Sequence, residues 1–142
     1  MHEDPSALKE LTPPPVQVTI LHLDEPLRQG SELSFRLGVG PIGAVWHAVY
    51  DEFTPYNQEL QECGFVDRAI SSPFHMWTHR HTFRGLGDNT STITDDARFE
   101  LLGGKVGGLL TWLVGYPAIA FLFLFRRAKT YRMLARLTSA SH

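Results

Sequence analysis

The sequence predicts an α+β domain, an antiparallel sheet of about six strands followed by one long C-terminal helix. Three observations carry that class. Between Val16 and Leu101 apolar residues recur at alternate positions, the period of a strand with one buried face. Gly, Pro, Asn and Asp interrupt this region at short intervals and join successive strands as hairpins. From Val106 to Phe125 no charged residue occurs, and the apolar run has helical length.

Each element follows from local signals. Asp4-Pro5 reads as an N-cap and a first-turn proline, starting a short helix through Leu11. Thr12-Pro-Pro-Pro15 ends it. Val16 to Leu23 is the first strand, with Val16, Val18, Ile20 and His22 on one face. After a turn at Pro26 to Gly30, Glu32 to Leu37 is the second, with Leu33, Phe35 and Leu37 inward. Gly38 to Gly43 turns again. Ala44 to Phe53, Glu59 to Ile70 and Phe74 to Arg84 are the next three strands. Gly85-Leu-Gly-Asp-Asn89 is a hairpin signal, and a sixth strand runs from about Thr90 to Leu101. Gly103 to Gly108 leads into the long helix, which ends near Arg136.

With 142 residues, the chain 1–142 fits one domain with a sizeable core. A formal net charge of -2 argues against nucleic acid as a partner. Cys63 is the single cysteine, which excludes an intrachain disulfide and a thiolate zinc site. His2, Glu3 and Asp4 do not start a secretory signal, so a reducing cytoplasm is the expected location. Val106 to Phe125 also has the length of a membrane span, flanked by Arg126, Arg127 and Lys129 as a positive-inside border would be. Gly107, Gly108, Gly115 and Pro117 interrupt it, and a long helix buried against a sheet is the alternative.

The chemistry concentrates in Ser72-Pro-Phe-His-Met-Trp-Thr-His-Arg-His-Thr-Phe83. On a strand, His75, Trp77, His79, His81 and Phe83 share one face. A face that mixes large rings with imidazoles suits the wall of a semi-polar cavity. The hairpin sets the register of the last two strands. If Phe83 faces Ile93, then His81 faces Asp95, His79 faces Ala97 and Trp77 faces Phe99; a two-residue slip places His79 opposite Asp95. Either way Asp95 joins the histidine face, where it serves as a ligand anchor, an acid/base partner, or simply a group the histidines satisfy. His79-x-His81 has the spacing of two metal ligands, with His75 a candidate third, but without a further ligand in view no metal or other cofactor is expected. Trp46, Phe65, Trp77, Phe83, Phe99 and Trp112 are candidate apolar lining, against the plainer reading that they are core. Asp67 reads as a cap for the turn around Ser71 and Ser72. Arg126, Arg127, Lys129, Arg132 and Arg136 form a basic helix end, a solvated face or an anionic-membrane contact.

Taken together, Pro5-x-x-Leu8-x-x-Leu11-Thr-Pro-Pro, Gly30, Trp46, Phe65-x-Asp67, Ser72-Pro-Phe-x-x-Trp77-x-His79-x-His81-x-Phe83 and Thr94-Asp95 resemble the SRPBCC or START-like superfamily. The likeness is narrower to bacterial ligand-binding proteins of the polyketide cyclase/dehydrase and lipid-transport type. It spans nearly the whole chain. It implies a helix-grip fold, a curved sheet wrapped around the C-terminal helix with a cavity between them. It also implies a strand and a short helix ahead of His2-Glu-Asp-Pro5, and with that first strand missing from this sequence the cavity is expected to be wider at one edge. The expected function is binding of a hydrophobic small molecule such as a lipid, quinone or polyketide. The expected ligand-binding residues are Trp46, Phe65, Trp77, His79, His81, Phe83, Asp95, Phe99 and Trp112. Two alternatives stand beside it: a cyclase- or dehydrase-like enzyme using His79, His81 and Asp95, and a protein anchored to a membrane by 106–125.

Overall fold

A computed structural model describes residues 5–87 and 90–139. A short helix α1 (Pro5–Glu10) precedes six strands: β1 (Gln17–Leu23), β2 (Glu32–Val39), β3 (Ile42–Asn57), β4 (Glu62–Ser71), β5 (Met76–Gly87) and β6 (Thr90–Glu100). They form one sheet in the order β1-β2-β3-β4-β5-β6, every neighbouring pair antiparallel. A continuous helical segment closes the chain: α2 (Gly104–Leu110), a π turn (Thr111–Gly115) and α3 (Tyr116–Ser139). The class is therefore α+β, as the alternation and the turn signals predicted.

Register decides which side chains face inward. Along β5 and β6 the pairs are Trp77↔Phe99, His79↔Ala97, His81↔Asp95 and Phe83↔Ile93, the first of the two registers read from the sequence. Asp88 and Asn89, the end of the hairpin signal, lie outside the described residues; Gly87 turns with φ +81°. Two details differ from the alternation pattern. In β1 the register shifts between Ile20 and His22. This bulge reverses the parity, so His22 is exposed and Leu23 turns toward the interior instead. Between β2 and β3 the chain reverses at Gly40 and Pro41, while Gly38 and Gly43 pair inside the ladder. A Cβ on either glycine would strike the opposing backbone and the Arg36 side chain, which crosses there to reach the Pro41 carbonyl at 3.1 Å. Strand β3 is 16 residues long and carries three register shifts against β4, each a place where the sheet bends.

The core is the inward face of the sheet. Val18, Phe35, Trp46, Ala48, Trp77 and Phe99 are buried together. Trp46 stacks on Phe35 at 5.8 Å and meets Trp77 edge-on at 5.2 Å. Phe74 meets Phe99 edge-on at 5.8 Å. Such pairs add about 0.5–1.5 kcal/mol each beyond their buried area. The helix joins this core at its start. Thr111 Oγ1 accepts from the Leu101 amide at 2.9 Å and donates to the Gly107 carbonyl at 2.8 Å, tying the strand end to the helix. A Cβ on Gly115 would lie 2.9 Å from the Phe99 ring, so glycine lets the helix press onto it.

Beyond Gly115 the helix meets the sheet through long side chains. Ile119 packs on the core and the Phe123 ring lies 5.4 Å from that of His79. Its other sides are open: Trp112, Leu113, Phe121 and Leu124 are all exposed. The segment Gly104–Arg132 is long and apolar enough to cross a membrane, and only 11% of its most apolar stretch is buried. The helix read as buried against the sheet is therefore packed on it along one side only. One stripe of it faces the protein.

Candidate functional site

Where the helix stands off the sheet, a cavity of about 300 Å³ remains. Leu8 and Leu11 of the α1 region, Ile20 and Leu23 of β1, Phe35 of β2 and Trp46 of β3 line it, and Ile119 and Leu122 of α3 close it. These walls are apolar. The lining from β4 and β5 is not uniformly so. Phe65 and Asp67 alternate inward on β4, Trp77, His79 and His81 on β5, and Arg126 enters from α3.

Pairing across the sheet assembles the polar end. Asp67 stands opposite His79, and Phe65 opposite His81. From the other side, β6 supplies Asp95 opposite His81. His81 Nδ1 is 2.7 Å from Asp95 Oδ1, within hydrogen-bonding distance, and its Nε2 is 3.4 Å from Asp67 Oδ2. His79 Nδ1 is 3.8 Å from Asp67 Oδ2 and its Nε2 is 3.5 Å from Asp95 Oδ1. The two imidazole centroids are 3.8 Å apart, and Phe65 lies against His81 at 4.4 Å. His79 is 3% exposed, and its Nε2 is buried without a hydrogen-bond partner among the described residues. The Nε of Arg126 is in the same condition.

The surroundings separate the two histidines electrostatically. Burial lowers the pKa of His79, against the opposing pull of Asp95. Burial also works against a charge on His81, but the carboxylates of Asp67 and Asp95 overcome it and its pKa is raised. Burial would raise Asp95, yet the two imidazoles outweigh it and hold this carboxyl below the usual carboxylate range. Burial lowers the Arg126 pKa, with the charges of Asp95 and Asp67 opposing.

Of the residues singled out in the sequence, Trp46, Phe65, Trp77, His79 and His81 line the cavity. Asp95 supports the cluster from behind without lining it. Three others are elsewhere. Phe83 lies past the cavity, stacked 6.3 Å from His81, and lines a separate depression with Cys63 and Ile93. Phe99 is packed under Gly115 and Tyr116, in the core. Trp112 is 66% exposed: across the π turn the buried positions are Gly107, Thr111 and Gly115, and the inward stripe continues from there through Ile119, Leu122 and Arg126. His75 is exposed, its ring beside Gly103 and away from the cluster.

Two site residues were assigned other roles in the sequence. Asp67 does not cap the Ser71–Ser72 turn; that turn closes on itself, with Ser72 Oγ accepting from the Phe74 amide at 3.1 Å. Its parity with Phe65 was the available signal. Arg126 was grouped with the basic surface, but one helical turn beyond Leu122 it points into the cavity. Comparisons of the chain with family models, curated proteins and solved structures find no match.

Proposed function

We propose that this chain is a START-like helix-grip protein that binds an apolar small molecule carrying one or two oxygens, and does not transform it. The single observation behind this reading is the cavity, an apolar chamber with one polar end. Its make-up, large hydrophobic walls and few convergent polar groups, is that of a carrier or sensor site. Among the described residues the buried Nε2 of His79 and Nε of Arg126 have no hydrogen-bond partner, and a ligand oxygen at either would satisfy the need such groups have for one. The order of sheet, helix and intervening space supports the helix-grip assignment.

A cytoplasmic location belongs to the same reading. So does contact of Arg127 and Lys129 with an anionic membrane surface, supported by the exposed apolar residues beside them, including Leu124. Native mass spectrometry of the purified protein, followed by organic extraction, tests the central claim. A co-purifying apolar compound, displaced by a fluorescent fatty acid, is expected. A chain that carries nothing and takes up no apolar probe refutes binding. Turnover of an extracted compound that Asp95→Asn abolishes would replace the binding reading with the cyclase- or dehydrase-like one.

A further inference from the structure

We propose that Asp67, His79 and His81 form a binding site for one divalent transition-metal ion of the zinc class, with an open coordination position facing the cavity. One ligand atom from each residue lies within 4.8 Å of the other two. The separations carry the argument. Asp67 Oδ2 is 3.4 Å from His81 Nε2 and 3.8 Å from His79 Nδ1. A charge-assisted hydrogen bond is about 2.7–2.9 Å long, so this carboxylate bonds well to neither ring. Two ligands that each sit about 2.0–2.1 Å from a tetrahedral ion are roughly 3.4 Å apart. The Asp67–His81 separation matches that of two ligands on one ion, and the Asp67–His79 separation is 0.4 Å longer.

Asp95 supplies the second requirement. A ligating imidazole normally donates its other N–H to a carboxylate or carbonyl, which fixes the tautomer. Here Asp95 Oδ1 is at hydrogen-bonding distance, 2.7 Å, from His81 Nδ1, and the unbonded Nε2 of His79 lies 3.5 Å from the same oxygen. Protons on those two atoms leave lone pairs on His81 Nε2 and His79 Nδ1, the atoms nearest Asp67. A plain histidine–carboxylate network would need only Asp95. The second carboxylate, Asp67, stands on the opposite side, 3.4 Å from His81 Nε2 and 3.8 Å from His79 Nδ1.

The charges define the fourth ligand. With both rings neutral, Asp67 and Asp95 outnumber Arg126 by one negative charge, and a divalent ion reverses that sign. Three protein ligands with a fourth position open is the pattern of a reactive or ligand-receiving zinc rather than a structural one. Asp67, His79, His81 and Arg126 all line the cavity. An anionic oxygen there would meet the ion and the unpartnered Arg126 Nε together. The site stands without the apolar-ligand reading, since it requires only these four side chains and Asp95.

The test uses the full chain, stripped with a chelator and titrated with zinc chloride in a calorimeter and with cobalt chloride in a spectrophotometer. One ion per chain is expected, with the intense visible bands of four-coordinate cobalt. Asp95→Asn should weaken binding about 10–100-fold, Asp67→Asn and His81→Gln should weaken it further, and His75→Gln should leave it unchanged. Circular dichroism confirms that each variant is folded. Should Asp67→Asn or His81→Gln fail to fold, the cobalt spectrum of the unaltered chain decides alone: weak six-coordinate bands, or no stoichiometric uptake, overturn the proposal. Full affinity in folded Asp67→Asn and His81→Gln chains also overturns it.

Discussion

Strand β5 carries charged pairs on both faces, and the two sets are built differently. On the outer face, Arg80 grips both oxygens of Glu52 at 2.8 and 3.1 Å, and Arg84 holds Glu62 Oε2 at 2.8 and 2.6 Å. These pairs are exposed and geometrically complete. The Arg80–Glu52 pair also spans Val66, whose register partners they are, and buries it under their stems. On the inner face, His79 and His81 stand among carboxylates at 2.7 to 3.8 Å, and a buried ring nitrogen has no partner. Water would have satisfied the outer groups anyway, so their pairing stabilises little. The inner groups have left water and are still incompletely bonded, which costs stability. Polar side chains held in that condition mark a place kept for something else to bind.

The comparison is broken most severely at the inner face itself. Trp77 is buried and touches Trp46, Phe74, His79 and Phe99. Trp77→Ala should cost about 3–5 kcal/mol of stability, the usual loss for a large aromatic in a core. Urea unfolding measures it. A loss under 1 kcal/mol would mean that the ring bounds an open space more than it fills the core. The next effect comes from Asp95→Ala, which removes the acceptor beside His81 Nδ1 and leaves both imidazoles without their rear carboxylate. About 1–3 kcal/mol should be lost, the cost of stranding a buried polar group.

The strands and their order were legible because period-two alternation and hairpin glycines are local signals, and the same signals narrowed the β5–β6 register to two. Trp77, His79 and His81 were found the same way, by counting along one strand. What escaped depended on distance in three dimensions. The parity change at the β1 bulge moved Leu23 inward, and nothing in Ile20-Leu21-His22 announces an extra residue. Asp67 shares a face with Phe65, but its importance arises from pairing with β5, a strand met later in the chain. Arg126 was hidden by its neighbours, since Arg127 and Lys129 make the helix end look uniformly basic. Helical spacing from Ile119 and Leu122 separates it from them only once the inward stripe is known. Trp112 failed for the same reason in reverse: an apolar helix with no polar face offers no sequence cue to which side is inward.

Replacing His79 sharpens the comparison from the opposite direction. If the inner cluster is held at a cost, His79→Leu should not destabilise the chain. Leucine fills similar space, needs no hydrogen bond and packs against Phe123 and Trp77. A gain of about 0.5–1 kcal/mol is expected, at the expense of binding, as for other residues retained for function against stability. Thermal unfolding and probe binding read the two effects separately. A clear loss of stability would show that His79 is satisfied in the native cluster, and would align the inner face with the outer one.

The smallest effect belongs to the outer face. A double-mutant cycle on Arg84→Ala and Glu62→Ala isolates the pair from the other roles of each side chain. Arg84 is well exposed and Glu62 about one-third exposed, so water and salt compete with the contact throughout. The coupling should fall in the range of about 0.2–1 kcal/mol measured for exposed pairs, and it should shrink further in 1 M salt, where the screening length is about 3 Å. Two short bonds to one carboxylate oxygen do not change that ranking, because both partners lose side-chain freedom to hold the geometry. A coupling equal to the Asp95→Ala loss would remove the distinction drawn between the faces of β5. The expected result, a weak and salt-sensitive pair opposite a costly buried cluster, would leave the inner face as the side of the strand whose composition serves binding rather than folding.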